Sequence, residues 1–102
     1  MKYIVRGAFV PFSSTFKDVN GNILTPTTAT LLVTYNIQGV PTTDTLAMMA
    51  QADGSWFAEW NSAYADAGLV QWFIDTGGTA SVATEGSFVL KANAANPQLP
   101  KA

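Results

Sequence analysis

Apolar and polar residues alternate along most of the chain. In 28–36, Ala29, Leu31, Val33 and Tyr35 fall on one side, and Thr28, Thr30, Thr34 and Asn36 on the other. Side chains of a strand point alternately to opposite faces, so the run predicts a strand with one buried side. Leu46, Met48 and Ala50 oppose Thr45 and Ala47 in the same way. Val70, Trp72 and Ile74 oppose Gln71 and Asp75, and Phe88 and Leu90 oppose Ser87 and Lys91. The N-terminal run sets Tyr3, Val5 and Phe9 on one face and is expected to break near Pro11. Thr and Val recur in these runs, and a branched Cβ fits the pleated surface of a sheet.

Turn signals punctuate the runs at 18–22, 38–41, 52–54, 65–68, 76–78 and 85–86. Short strands at such regular spacing predict an all-β sandwich or barrel. No window sustains a helical period. The segment 61–68 breaks the pattern. There Asn61 or Ser62 is expected to cap one short helical turn near 61–67, ending at Gly68 and crossing between sheets. Residues 93–102 contain two prolines and no alternation. They are expected to form an extended C-terminal arm, mobile or bound to a neighbour, beside a domain of residues 1–92.

The same grid sorts the aromatic cluster "DGSWFAEW" at 53–60. Trp56, Ala58 and Trp60 share a face; Phe57, Glu59 and Asn61 share the other. The tryptophans look like a core stripe that Trp72 joins, each buried side chain contributing about 1.5–3 kcal/mol. The alternative is a glycan-binding platform of Trp56, Trp60 and Trp72, since indoles bury much area at low entropic cost. Phe57, Phe73 and Leu32 then face outward. Several outward apolar residues on a chain poor in charge suggest an interaction patch.

Composition narrows the function. The chain has 102 residues, enough for one domain, and is 48% hydrophobic but only 12% charged, against about 25% in typical domains. So little charge is a weak barrier to association. The net charge is −2 and the five basic residues are scattered, which argues against a nucleic-acid partner. No basic amphipathic helix and no run of ~20 apolar residues suggests a membrane partner. Arg6 interrupts the N-terminal apolar run, which therefore does not read as a signal peptide. There is no His and no Cys, which removes histidine bases, thiol nucleophiles and most zinc or copper sites. Of the acids, Asp53, Asp66 and Glu85 sit beside turn glycines, and Asp44, Glu59 and Asp75 suggest no catalytic pair. The expectation is a protein that is not an enzyme and needs no cofactor. "DVNGN" opens like an EF-hand loop, but Ile23 and Ala29 stand where Gly and Glu are required. It reads as a turn, with a non-EF cation site on Asp18 as the alternative.

Four stretches, "FKDVNGNILTP", "DGSWFAEW", "AGLVQW" and "EGSFVL", together resemble bacterial and phage immunoglobulin-like modules across about residues 12–91. The resemblance implies an immunoglobulin-like antiparallel β-sandwich of about seven strands. The chain has no Cys pair, so a tryptophan packed on a disulfide does not carry over. Tyr64 lies near the place of a tyrosine corner but precedes its strand by several residues. The resemblance further implies a structural protein of a tailed-phage virion, assembled in the bacterial host cytoplasm. Its role would be decoration or assembly of head or tail. Its partners would be other virion proteins, met as a homo-oligomer or by docking on a capsid or tail lattice. The expected interface is Leu32, Phe57, Phe73 and the arm with Asn93, Asn96 and Pro97. The alternatives are a carbohydrate-binding or adhesion module that attaches to a cell-surface glycan, and a periplasmic domain.

Overall fold

The computed structural model describes residues 3–7, 9–18, 20–77 and 83–100. They form eight strands: β1 (Tyr3–Val5), β2 (Phe9–Ser14), β3 (Ala29–Ile37), β4 (Val40–Ala47), β5 (Met49–Ala50), β6 (Trp56–Asn61), β7 (Gly68–Thr76) and β8 (Ala83–Lys91). One sheet has five strands in the order β1-β8-β7-β3-β4, the other three in the order β2-β6-β5. All pairs are antiparallel except β1 with β8, so the larger sheet is mixed rather than purely antiparallel. The sheets face each other across one core, a sandwich-like all-β arrangement. Trp60 packs on Tyr35 and Phe88, and Phe12 on Phe88 and Trp72, each contact bridging the two sheets.

The alternation of 28–36, 56–60 and 87–91 survives intact. Leu31, Val33, Trp60 and Leu90 are buried to within 1% exposure. Ile74, Phe88 and Trp56 are buried with them, while Leu46 and Trp72 are half-buried against the cluster.

Two expectations fail where the chain changes sheets. Tyr3, Val5 and Phe9 are all exposed, and the inward residues are Ile4, Val10 and Phe12. Gly7, at φ +99°, turns the chain from β1 in one sheet to β2 in the other, and the phase carries through it, with Ile4, Val10 and Phe12 on the parity opposite to Tyr3, Val5 and Phe9. A Cβ at Gly7 would also collide with the Asn96 side chain. Pro11 does not break the run. It lies inside β2, opposite Glu59, where β2 is an edge strand that tolerates a residue without an N–H. Likewise 43–50 is not one strand. Met48 is buried between β4 and β5 with its N–H on the Ala29 carbonyl (2.9 Å), and Ala50 beyond it is exposed.

The expected helical turn near 61–67 is a hydrogen-bonded turn instead. Ala65 N–H reaches the Ser62 carbonyl at 3.1 Å. Asn61 accepts the Ala63 N–H at 3.0 Å, a cap on a turn that no helix follows. Gly68 opens β7 rather than closing a helix.

One carboxylate joins the two sheets. Asp44, on the inward side of β4, accepts the Tyr35 hydroxyl at 2.8 Å and the Trp60 indole N–H at 2.9 Å. Asp44, which suggested no catalytic pair from sequence, thus has a structural part as the acceptor between the sheets. Burial, then the bond to Asp44 and its charge, raise the Tyr35 phenol well above its usual range. It stays protonated and donates.

Residues 93–100 do not extend away from the domain. Leu99 N–H meets the Ala63 carbonyl (2.9 Å), and Gln98 donates to the Tyr64 carbonyl (2.9 Å) and to Asp66 (2.7 Å). Asp66 also accepts the N–H groups of Gln38 and Gly39 at 2.8 and 2.9 Å. These belong to the two-residue turn between β3 and β4, whose φ angles of 50° and 81° are those of a primed hairpin turn. Asp66 thus pins a hairpin and the C-terminal segment together.

Asp44→Ala should leave two donors without their acceptor, at a cost of about 2–5 kcal/mol in urea unfolding. Trp60→Phe or Tyr35→Phe, each removing one donor, should cost less. The double variant Asp44→Ala, Trp60→Phe should be less destabilised than the sum of its parts.

The Gly39 N–H, then Gln98, then the Gln38 N–H hold the Asp66 carboxyl below its ordinary value of 3.8, with Arg6 adding to them. A carboxyl depressed in the folded state contributes stability that is complete above the unfolded value. It is lost as pH falls through the lower folded value. Amide exchange at Gln38, Gly39 and Leu99 should therefore accelerate as pH drops below 3.8, after correction for the intrinsic rate. In Asp66→Ala exchange should be fast at every pH.

Candidate functional site

The outward residues of the five-stranded sheet form rows across its strands. One row runs Thr45, Leu32, Phe73, Glu85; the next runs Thr43, Thr34, Gln71, Ser87. Each neighbour in a row is a direct cross-strand partner, the spacing at which sheet side chains touch. Leu32 and Phe73 sit side by side on β3 and β7 because both have outward parity between buried neighbours. Phe73 is 38% exposed and Leu32 half-buried. The two rows floor a shallow depression of about 690 Å³. Thr34 and Thr43 share a hydroxyl contact of 3.2 Å at one end. Glu85 and Ser87 flank the other.

Chemically this is an apolar pair beside four neutral hydrogen-bonding side chains, with Glu85 as the one charged group among the described residues that line the depression. The surface can bury the Phe73 ring and offer hydroxyls and an amide to a ligand.

The other expected site residues lie elsewhere. Phe57 is half-buried on the outer face of the three-stranded sheet, between Ser13 and Met49, on the opposite side of the molecule. Asn93 donates to the Arg6 carbonyl (3.2 Å) and accepts the Ala95 N–H (3.0 Å). Asn96 packs on Gly7, and Pro97 is exposed beside it. These three residues therefore belong to the folded-back C-terminal segment, not to one patch with Leu32 and Phe73. Trp56 and Trp60 are 8% and 1% exposed and aimed between the sheets, so they present no indole face for a sugar to stack on. Trp72 is half-buried against Phe12, on the middle strand of the five-stranded sheet.

Asp18 serves its own turn. Its Oδ1 accepts the N–H groups of Asn20 and Asn22 at 2.9 Å each. The Asn22 N–H leads the interactions that lower its carboxyl.

The polar half of the depression, Thr34, Thr43, Gln71, Glu85 and Ser87, was not singled out from sequence. Its only signal was outward parity in four separate runs. Which of those residues lie abreast depends on strand order and register.

No protein family, no characterised protein and no solved structure matches the chain.

Proposed function

We propose that this chain is a non-enzymatic, immunoglobulin-like module that acts through protein–protein contacts as a structural component of a phage particle. Strand order supports the fold reading. With β2 to β8 taken as strands B, C, C′, D, E, F and G, the sheets are GFCC′ and BED. Among the described strands, that order follows a variable-type domain as far as C′, with no C″ strand between C′ and D. The phage setting rests on the resemblance of residues 12–91 to such modules.

The observation that carries the docking role is the outer face of the five-stranded sheet, where Leu32 and Phe73 lie abreast in a depression with a single charged side chain among the described residues. A stable interface buries about 1,200–2,000 Å² in total. Two side chains supply only its centre, so the hydroxyl row and the sheet margins must join the contact.

A second reading has its own support. The row Thr43, Thr34, Gln71, Ser87 beside the Phe73 ring is also a surface for a neutral glycan, a ring face on Phe73 and its hydroxyls on the row.

The double variant Leu32→Ser, Phe73→Ser should keep its circular dichroism spectrum and lose about tenfold or more in self-association or incorporation into particles. Phe57→Ser, on the opposite face, should lose neither. Wild-type occupancy by the double variant would remove this face as the interface. Binding to a neutral glycan array that the same variant abolishes would select the second reading.

A further inference from the structure

We infer that the outer edge of β8, from Thr84 to Phe88, accepts an extended segment of a partner protein, which adds to the five-stranded sheet parallel to β8 and in line with β1. The inference rests on the domain being a protein-binding module and specifies how a partner is held.

β8 has nine residues, but β1 pairs only with Val89, Leu90 and Lys91. Among the described residues no strand pairs with the same edge from Thr84 to Phe88. The direction of its peptide groups follows from one bond. Arg6 N–H donates to the Lys91 carbonyl at 2.9 Å, so the peptide groups of Lys91 face β1. Direction alternates along a strand. The β7–β8 ladder runs without a bulge. Val89, Ser87 and Glu85 therefore also face outward, while Phe88, Gly86 and Thr84 bond β7. Ser87 and Glu85 offer main-chain donors and acceptors that continue the β1 ladder.

Beneath this edge the sandwich is open. A cleft of about 330 Å³ lies between β8 and β2, walled by Ile4, Phe12, Trp72, Ile74 and Phe88. Gly86 lets the Trp72 indole form part of its wall: a Cβ there would overlap the ring. The opposite lip is β2, also an edge strand, but Pro11 at its middle has no N–H to give. Proline on an edge blocks strand addition. Among the described residues, one lip carries such a block and the other does not.

A strand continuing β1 would follow its alternation, in which Ile4 faces the core and Tyr3 and Val5 face out. Every second side chain would enter the apolar cleft. The intervening ones would lie on the outer face beside Glu85 and Ser87, where a lysine or arginine complements the carboxylate. The partner segment is thus extended, apolar at alternate positions, and basic on its other face. Main-chain bonds give affinity in such additions and the alternate pockets give selectivity.

The probe is a segment supplied in cis. In the full chain, the residues before Tyr3 are replaced by about eight residues alternating valine and threonine, valine in the parity of Ile4 and lysine opposite Glu85; tethering makes pairing effectively intramolecular. The melting temperature should rise by about 4–8 °C. Amide exchange at Glu85 and Ser87 should slow by about tenfold or more. Replacing the valines with threonine should remove most of the rise. Ser87→Pro deletes an outward N–H without touching the β7 ladder and should remove both effects. If that variant does not fold, exchange at Glu85 and Ser87 in the otherwise native chain decides. Unchanged exchange there, or protection at Ser13 on β2 instead, overturns the inference. So does a rise that survives Ser87→Pro, since the segment would then act by filling the cleft without pairing. Leu32 and Phe73 do not line this cleft, so failure here leaves the outer-face reading standing, and failure of that reading leaves this result intact.

Discussion

The fold depends on one carboxylate taking two hydrogen bonds at the meeting of the sheets. Trp60 supplies the largest fully buried side chain in the domain, and its indole N–H cannot be left dry. Asp44 accepts it, and accepts the Tyr35 hydroxyl beside it. The Tyr35 and Trp60 rings can then pack at 5.0 Å and carry the core across the gap. A chain without cysteine has no covalent tie between its sheets. Here a charge-assisted pair takes that place, joining the β4 edge of one sheet to the middle strand of the other.

Parity was legible wherever a run stayed in one sheet. β3, β6, β7 and β8 all present the side that alternation assigns, including the outward Leu32 and Phe73. It failed in the N-terminal run, where Ile4, Val10 and Phe12 turn inward in place of Tyr3, Val5 and Phe9, and at Ala50, which keeps the phase of the buried Met48 but is exposed. Both runs pass from one sheet to the other, and nothing in a local pattern says which side of each strand the facing sheet will cover. The role of Asp44 was half legible. It shares the parity of Leu46 and Met48, which places a carboxylate inward. Its partners, 9 and 16 residues away, come from the register of β3 with β4 and from the packing of the sheets. The same holds for the outer-face depression. Each residue's side was readable, but its neighbours were not.

The candidate docking face and the strand-accepting edge use different parts of one sheet. The face offers side chains and the edge offers peptide groups. β8 belongs to both: Glu85 and Ser87 point their side chains into the depression and their main chain outward from the edge. A partner strand on that edge would widen the face by one strand and extend its rows. Occupancy of one surface would then alter the area available to the other. The C-terminal segment stays outside this arrangement. Asp66, Gln98 and Leu99 hold it at the turn-bearing end of the sandwich.

The unequal burial of the three indoles has an optical consequence. Trp56 and Trp60 are sealed between the sheets, whereas Trp72 stands at the wall of the cleft under Gly86. Emission from the folded domain should divide into a protected pair and one component open to small collisional quenchers. The molecule thereby carries a native reporter at the mouth of its own opening. Its spectrum tracks what enters there without any label that would disturb the edge.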